Sequence, residues 1–262
     1  MHRSLLFAAV ATVAVACATS PLGRQQLRFF PGDQMAEMGA AAFAQTRKET
    51  PAVSDPALTG YVTCVADAIT PLVEGGPETW EVVVFDDAQA NAFALPGGKI
   101  GVYRGLLDVA KTQHQLATVI GHEIAHVQAE HGNERVSTAY ATEAGLQLVQ
   151  ALAGGQGAQN DNVMALLGLG AEVGVLLPFS RTQETEADLI GLDLMARAGF
   201  DPRESVQLWQ NMAAGGNGAP PEFLSTHPSH GTRTDELNAR MEHALALYRE
   251  AQQQGRAPDC RR

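Results

Sequence analysis

The chain has 262 residues, which is enough for one sizeable hydrophobic core. Apolar residues make up 45% and aromatic residues 6% of it, as in ordinary soluble, helix-rich domains. Its formal net charge is −11 and no run of Lys or Arg stands out, so no nucleic-acid partner is expected, because phosphate binding needs a basic face.

The first sixteen residues have the pattern of a secretory signal peptide. Arg3 belongs to a short positive head, residues 5–15 are almost entirely apolar, and small residues follow. The stretch is too short to span a bilayer. Residues 14–16 suit ordinary cleavage, whereas the same residues followed by Cys17 look like a lipobox, although most lipoboxes have Leu where Ala14 stands. Cys17 is therefore either the lipidated first residue of the mature chain or a bystander in the signal.

Signals for two helices and a small sheet follow an expected tether over residues 17–30. Helices are predicted over 33–46 and 55–72, the second with Pro56 in its first turn. The β-branched run 80–85 predicts a strand. Two further strand-like pieces, 91–95 and 99–103, flank a Pro-Gly-Gly turn. We interpret this region as a small antiparallel sheet ahead of the central helices.

The rest of the chain is mostly helical. Thr112 is the predicted N-cap of a helix over 113–130 that ends near Gly132. Residues 163–179, apolar apart from Glu172, suggest a buried or lid-like helix rather than a membrane span. Residues 215–221 form a loop rich in Gly and Pro. Further helices are predicted over 134–152, 183–198, 203–214 and 234–254. The expected organisation is a signal peptide (1–16), the tether (17–30) and a single α+β, mostly helical domain (31–262).

Two cysteines remain beyond Cys17. An even pair in a secreted chain suggests one disulfide, between Cys64 and Cys260. The alternative is two free thiols, which an oxidising compartment disfavours.

The central motif is the run from His122 to His126, which reads H-E-x-x-H. On a helix the two histidines lie one turn apart on one face, so both imidazoles can reach one zinc ion. Glu123 between them is placed to act as the catalytic base on a water molecule. The alternative is a solvent-exposed helix that binds no metal and whose two histidines are hydrogen-bonded to other groups.

A catalytic zinc site needs a third protein ligand. Glu184 and Asp188 are spaced to share one face of a downstream helix. Glu184 would bind the metal, and Asp188 would accept a hydrogen bond from a ligand histidine. On spacing alone Glu186 is a rival ligand, and a solvated acidic turn at a helix N-terminus would explain all three carboxylates without a metal.

Several ordered segments together resemble the gluzincin peptidases of the CAAX-prenyl-protease-like family. The matching stretches lie at 91–98, 122–126, 184–191, 198–202 and 225–228, together with Arg233, and the region that they span, 91–233, is more than half of the chain. The resemblance implies a minigluzincin fold, in which an edge strand packs against the central active-site helix. It also implies one Zn²⁺ per chain and selects Glu184 over Glu186 as the third ligand.

The same resemblance suggests roles for the remaining candidates. The edge strand would bind extended substrate through its main chain, at Asn91, Ala92, Phe93 and Ala94. His227 and Arg233 are the candidates for stabilising the oxyanion, and His230 is a weaker one. In some family members the histidine that matches His227 can bind zinc as a fourth ligand, so the resting enzyme is predicted to be partly blocked by it.

The secretory signal places the chain nearer to the periplasmic lipoprotein members of the family. The resemblance implies a zinc endopeptidase of the bacterial periplasm, anchored to the outer membrane only through lipidated Cys17. Its expected partners are unfolded or misassembled envelope proteins and, with them, the envelope assembly machinery. The alternatives are a chaperone-like assembly factor that rarely cuts and a structural zinc protein. The latter is disfavoured because closed structural sites favour Cys ligands.

Overall fold

A computed structural model describes residues 17–152, 179–214, 222–227 and 231–262. The expected signal peptide 1–16, nearly all of the lid-like helix 163–179, the loop 215–221 and His230 lie outside the described residues.

The described part of the chain is mostly helical, as predicted, with two small sheets. The strands are β1 (Cys17–Thr19), β2 (Gln25–Leu27), β3 (Glu81–Phe85), β4 (Ala92–Leu95) and β5 (Lys99–Tyr103). The helices are α1 (Gly32–Glu49), α2 (Pro56–Ile69), α3 (Gln113–Gln128), α4 (His131–Leu152), α5 (Arg181–Arg197), α6 (Glu204–Ala214), α7 (Glu222–Thr226) and α8 (Arg233–Gln253).

The helix starts follow the capping chemistry of the sequence. Asp55 accepts hydrogen bonds from the first backbone amides of α2, and Thr112 caps α3 as predicted. Ser180 and Gln183 form a reciprocal capping box at the start of α5. The end of α3 differs from the prediction, because Glu130 takes a left-handed conformation (φ 54°) and stops the helix ahead of Gly132.

The main sheet is mixed rather than purely antiparallel. Its strand order is β3-β5-β4, with β4 antiparallel and β3 parallel to β5. The turn through Gly97 and Gly98, both at positive φ, joins β4 to β5 as a hairpin. Because β4 then pairs along one side of β5, β3 pairs on the other side. The prediction of an edge strand is confirmed, since β4 ends the sheet and packs against α3.

The prediction of a tether over residues 17–30 is wrong for its greater part. β1 and β2 form an antiparallel hairpin, and the side chain of Gln26 donates to the carbonyl of Ala129 (3.1 Å). Arg24 forms ion pairs with Glu134 and Glu186. Strands this short carry little signal in the sequence, and their stability comes from these distant partners.

Helix α3 lies at the centre of the core, between α5 on one side and β4 and α2 on the others. Its residues from Gln115 to His126 are all buried. Gly121 faces Gly191 of α5, and a Cβ at either position would meet the other helix's backbone at 2.8–2.9 Å. The pair of glycines therefore lets the two helix backbones touch.

The structure pairs Cys64 of α2 with Cys260, the disulfide that the sequence predicts, at a Cα–Cα distance of 5.7 Å. Gln113, at the start of α3, donates to the carbonyl of Pro258 (2.9 Å) and accepts from the amide of Cys260 (2.8 Å). The last residues are thus held against the first turn of α3. Within the described ranges, no helix is both long and apolar enough to cross a membrane.

Candidate metal centre

Four buried side chains converge at the C-terminal half of α3. His122 and His126 lie one turn apart, Glu184 comes from α5, and His227 follows α7. Their ligand atoms lie within 4.8 Å of one another. The Nε2 atoms of His122 and His126 are 3.1 Å apart, and each lies 3.5 Å from a carboxylate oxygen of Glu184.

These separations fit a small ion with tetrahedral geometry. A zinc ion about 2.0–2.1 Å from each ligand atom places neighbouring ligands about 3.3–3.4 Å apart. The measured gaps of 3.1–3.5 Å bracket that spacing. Two imidazole nitrogens and a carboxylate are also the donor set of catalytic rather than structural zinc sites. The residues present therefore fit a zinc ion.

The protonation states are those that a metal needs. Burial holds the pKa of both His122 and His126 well below the usual value, so both rings are neutral. Burial also disfavours the charged form of Glu184, but the close contacts of its carboxylate with the rings of His126 and His227 outweigh that effect and hold the pKa of Glu184 far below its usual range. Neutral imidazoles and an ionised carboxylate can bind a cation without first losing protons.

The predicted supporting role of Asp188 agrees with its position. One of its oxygens lies 2.9 Å from Nδ1 of His122 and the other accepts from Nε of Arg233 (2.6 Å). Asp188 is therefore placed to keep the His122 proton on Nδ1, which leaves Nε2 free to face the ion.

Arg233 holds carboxylates rather than lining an open cleft. It contacts both Asp188 and Glu184, and its guanidinium stacks on the ring of Trp209 at 3.8 Å. Its Nη1 is buried and has no hydrogen-bond partner among the described residues. The oxyanion role of Arg233 stays a prediction, and its visible contacts are those of a positioning residue.

Glu123 is buried beside the cluster and partly unsatisfied. Its Oε1 has no hydrogen-bond partner among the described residues and lies 3.4 Å from Nε2 of His227. Burial raises the pKa of Glu123 to about 7 against the smaller opposing effects of His227 and a hydrogen bond from the backbone of Ala94. A carboxyl group with that pKa can both take and return a proton near neutral pH.

The side chain of His227 contacts the other members of the cluster. Its Nδ1 is 3.2 Å from Nε2 of His122 and 3.0 Å from Glu184. The short helix α7 precedes it, and the His227 amide donates to the carbonyl of Phe223 (2.9 Å). Phe223 is tied in turn to Ala90, so α7 carries His227 to the cluster.

The rival ligand Glu186 lies outside the cluster. Its carboxylate instead accepts from Nε2 of His131 (3.1 Å), and Nδ1 of His131 lies 2.9 Å from Nδ1 of His126. Sequence analysis missed His131, although a third histidine five positions after His126 was a visible signal. It opens α4, directly after the turn at Glu130.

The predicted substrate strand lies beside Glu123, but its side chains do not all face the site. Ala94 approaches Glu123 through its backbone. Phe93 turns away and packs over Gly101 with Phe43 and Phe85. Any contact of Phe93 with substrate would therefore be through its main chain. Asn91 lies just before β4 and accepts from the amide of Tyr103 (2.9 Å).

A cleft of about 520 Å³ runs from the edge strand to His126. Ala94 and Leu95 line one side, Met35 of α1 another, and Phe179 the inner end. The ring of Phe179 stacks on His126 at 3.9 Å. The cleft therefore borders β4 and reaches the cluster at His126.

Comparison with known proteins agrees with this geometry. Residues 56–241 match the family model described as Peptidase family M48. The chain is 43% identical over 192 residues to the mitochondrial metalloendopeptidase OMA1 of Arabidopsis thaliana, covering 71% of this chain and 37% of that protein. It is 33% identical over 175 residues to human OMA1, covering 64% and 33%.

A bacterial relative is also similar. The β-barrel assembly-enhancing protease of Escherichia coli strain K12 is 29% identical over 216 residues, covering 80% of this chain and 44% of that protein. The chain thus spans about a third to a half of the length of the curated relatives it matches.

Proposed function

The chain belongs to peptidase family M48, and from this premise we propose that it is a zinc-dependent endopeptidase that cleaves unfolded or misassembled cell-envelope proteins. The observation that carries the proposal is the buried His122, His126 and Glu184 cluster with Glu123 beside it, at the end of a cleft bordered by an edge strand. Metalloendopeptidases among the relatives support the same chemistry.

The three ligands have distinct supports. His122 contacts Asp188, His126 contacts His131, and Glu184 contacts Arg233. A bound zinc ion would supply Lewis-acid chemistry, which polarises a carbonyl group and makes water more acidic.

Glu123 would act as general base toward the attacking water and then return the proton to the leaving amine. Its partly unpaired, buried carboxyl group is suited to this exchange. His227 and Nη1 of Arg233 are the donors available to the developing oxyanion.

The edge strand accounts for a substrate in extended form. Among the described residues, β4 pairs with a strand on one side only, so its other side can hydrogen-bond an added strand. Such pairing uses the main chain and ignores most side chains, which suits unfolded polypeptides of many sequences. A folded protein would have to release a segment before it could pair in this way.

The cellular setting is part of the proposal. The secretory pattern of residues 1–16 and the lipobox-like Cys17 support a bacterial periplasmic location with a lipid anchor in the outer membrane. The name of the Escherichia coli relative associates that protein with β-barrel assembly, which supports an envelope substrate and contact with assembly machinery. Several relatives are instead mitochondrial, so the location is inferred from the N-terminal sequence rather than from them.

The alternative is an assembly factor that binds polypeptide at the edge strand and rarely cuts. Metal content and casein cleavage should be measured with and without chelator for the purified chain, for Glu123→Gln and for Glu242→Gln, an exposed control on α8. We expect Glu123→Gln to retain zinc but lose cleavage, and Glu242→Gln to match the parent chain. If the parent chain binds zinc and prevents aggregation of an unfolded protein without cutting it, the assembly factor is the better description.

A further inference from the structure

We propose that His131 and Glu186 are positioning residues for the metal ligand His126, and that the N-terminal hairpin β1–β2 holds Glu186 in place for that task. The proposal rests on the proposed function only in taking His126 as a metal ligand. Its evidence is a continuous line of hydrogen bonds that starts outside the metal cluster and ends on the far nitrogen of His126.

The first step is the chemistry of the carboxylate. Oε2 of Glu186 lies 3.1 Å from Nε2 of His131, and an ionised carboxylate can only accept. Nε2 of His131 therefore carries the proton. In a neutral ring the other nitrogen, Nδ1, is then an acceptor.

The proton of His131 determines which nitrogen of His126 carries its proton. Nδ1 of His131 lies 2.9 Å from Nδ1 of His126, and with Nδ1 of His131 as the acceptor we assign His126 as the donor. Its proton is fixed on Nδ1, and the lone pair of Nε2 points into the cluster, where Glu184 and His122 lie. His131 is fully buried, so water cannot easily replace it as the acceptor.

The third step is the hairpin. Nε of Arg24 donates to Oε2 of Glu186 (3.0 Å), and the amide of Leu22, in the hairpin turn, approaches Oε1 (3.4 Å). Arg24 also binds Glu134 of α4 through Nη2 (2.7 Å). The hairpin is therefore held by Arg24 to both α4 and α5, and we call these two ion pairs its clamps. We call the hydrogen-bonded series His126, His131 and Glu186 the relay, so the clamp to α5 ends on a member of the relay.

The two ligand histidines of α3 are thus supported from different parts of the chain. His122 contacts Asp188, which in turn accepts from Arg233 of α8. His126 contacts His131, which is linked through Glu186 to the hairpin. A substitution in the hairpin can consequently change the metal affinity of the site although no metal ligand is replaced.

The test measures zinc affinity of the full chain by competition with a chelator. Replacing His131 by Leu removes the acceptor for His126, and Glu186→Ala removes the group that sets the tautomer. Each should weaken zinc binding by about 10–100-fold, as loss of a group that orients a ligand does. His131→Asn should restore much of the affinity, because the Asn oxygen can occupy the place of Nδ1.

Matched variants separate the hairpin from general stability. Arg24→Met loses both clamps, whereas Glu134→Gln weakens only the one outside the relay. We expect Arg24→Met to weaken zinc binding several-fold more than Glu134→Gln does. The visible absorption of the Co²⁺-loaded chain should change in His131→Leu and recover in His131→Asn, which a purely structural role of His131 would not produce.

The outcomes are distinct. A parent chain that binds neither Zn²⁺ nor Co²⁺ would defeat the proposed function itself. A parent chain that binds zinc, with His131→Leu and Glu186→Ala binding it equally well, would overturn the relay alone. Thermal unfolding of the metal-free variants shows which of them fold. If His131→Leu does not fold, Glu186→Ala carries the same test, because it removes a carboxylate that contacts no metal ligand directly.

Discussion

At the contact between Gly121 and Gly191, the addition of a single methyl group should lower both the stability of the fold and its zinc affinity. A Cβ on Gly191 would lie 2.8 Å from the carbonyl carbon of Gly121 and 2.8 Å from the amide nitrogen of His122. Ordinary contact begins at 3.4 Å, so the helix backbones must separate by 3.4 − 2.8 = 0.6 Å. Both neighbours are backbone atoms, and no flexible side chain can give way.

Gly191→Ala should therefore cost stability and metal binding together. Overpacking of this kind lowers the free energy of unfolding by about 1–3 kcal/mol. For a domain of this size that is a fall in Tm of about 2–12 °C. The same shift moves His122 away from Glu184 by more than the roughly 0.2 Å within which metal–ligand distances normally agree with their typical values. We expect zinc affinity to fall by about 10–100-fold.

Gly60→Ala is the matched control. Gly60 is an exposed residue within α2, and a Cβ there would meet nothing within 4 Å. That variant should gain about 0.4–1 kcal/mol and bind zinc like the parent chain. Calorimetry and chelator competition on the three proteins decide the matter. A Gly191→Ala protein as stable as Gly60→Ala, with parental zinc affinity, would refute the close contact.

Three further predictions concern single groups. His227→Ala should free the fourth position of the cluster and raise basal cleavage of a peptide substrate. A fall in kcat of about 10²-fold would show instead that His227 stabilises the oxyanion. Asp188→Asn should weaken zinc binding by about 10–100-fold in chelator competition, since it disturbs the hydrogen bond to His122, and unchanged affinity would exclude a supporting role. Cys64→Ser should lower the free energy of unfolding by up to about 5 kcal/mol in the entropic view of disulfides, and two reactive thiols besides Cys17 in the denatured, unreduced parent chain would rule the bridge out.

The parts of the site that could be predicted are those written in local spacing. His122 and His126 follow from the i, i+4 geometry of one helix, and the capping of α3 from Thr112. The choice of Glu184 over Glu186 did not follow from spacing, because both lie in the first turns of α5. It came from the family resemblance, and the structure separates the two by placing only Glu184 in the cluster.

The parts that could not be predicted depend on contacts between distant residues. Arg24 and Glu186 are 162 positions apart, and Arg233 and Asp188 are 45 apart. Nothing in their neighbouring residues shows that they meet. The parallel pairing of β3 with β5 could not be predicted either. The strand pattern of the sequence shows which residues alternate between the two faces, but not which edge of the sheet a strand joins.

The bridge between Cys64 and Cys260 also changes what proteolysis of this chain would look like. It joins positions 196 residues apart and so encloses most of the chain, including the metal cluster. A single cut anywhere between the two cysteines would leave two pieces that remain one covalent molecule. A copy nicked by another copy would run as full-length protein on a non-reducing gel and separate into fragments only after reduction. Self-cleavage should therefore be scored under reducing conditions, because without them a nicked population is indistinguishable in mass from an intact one, apart from the one water added.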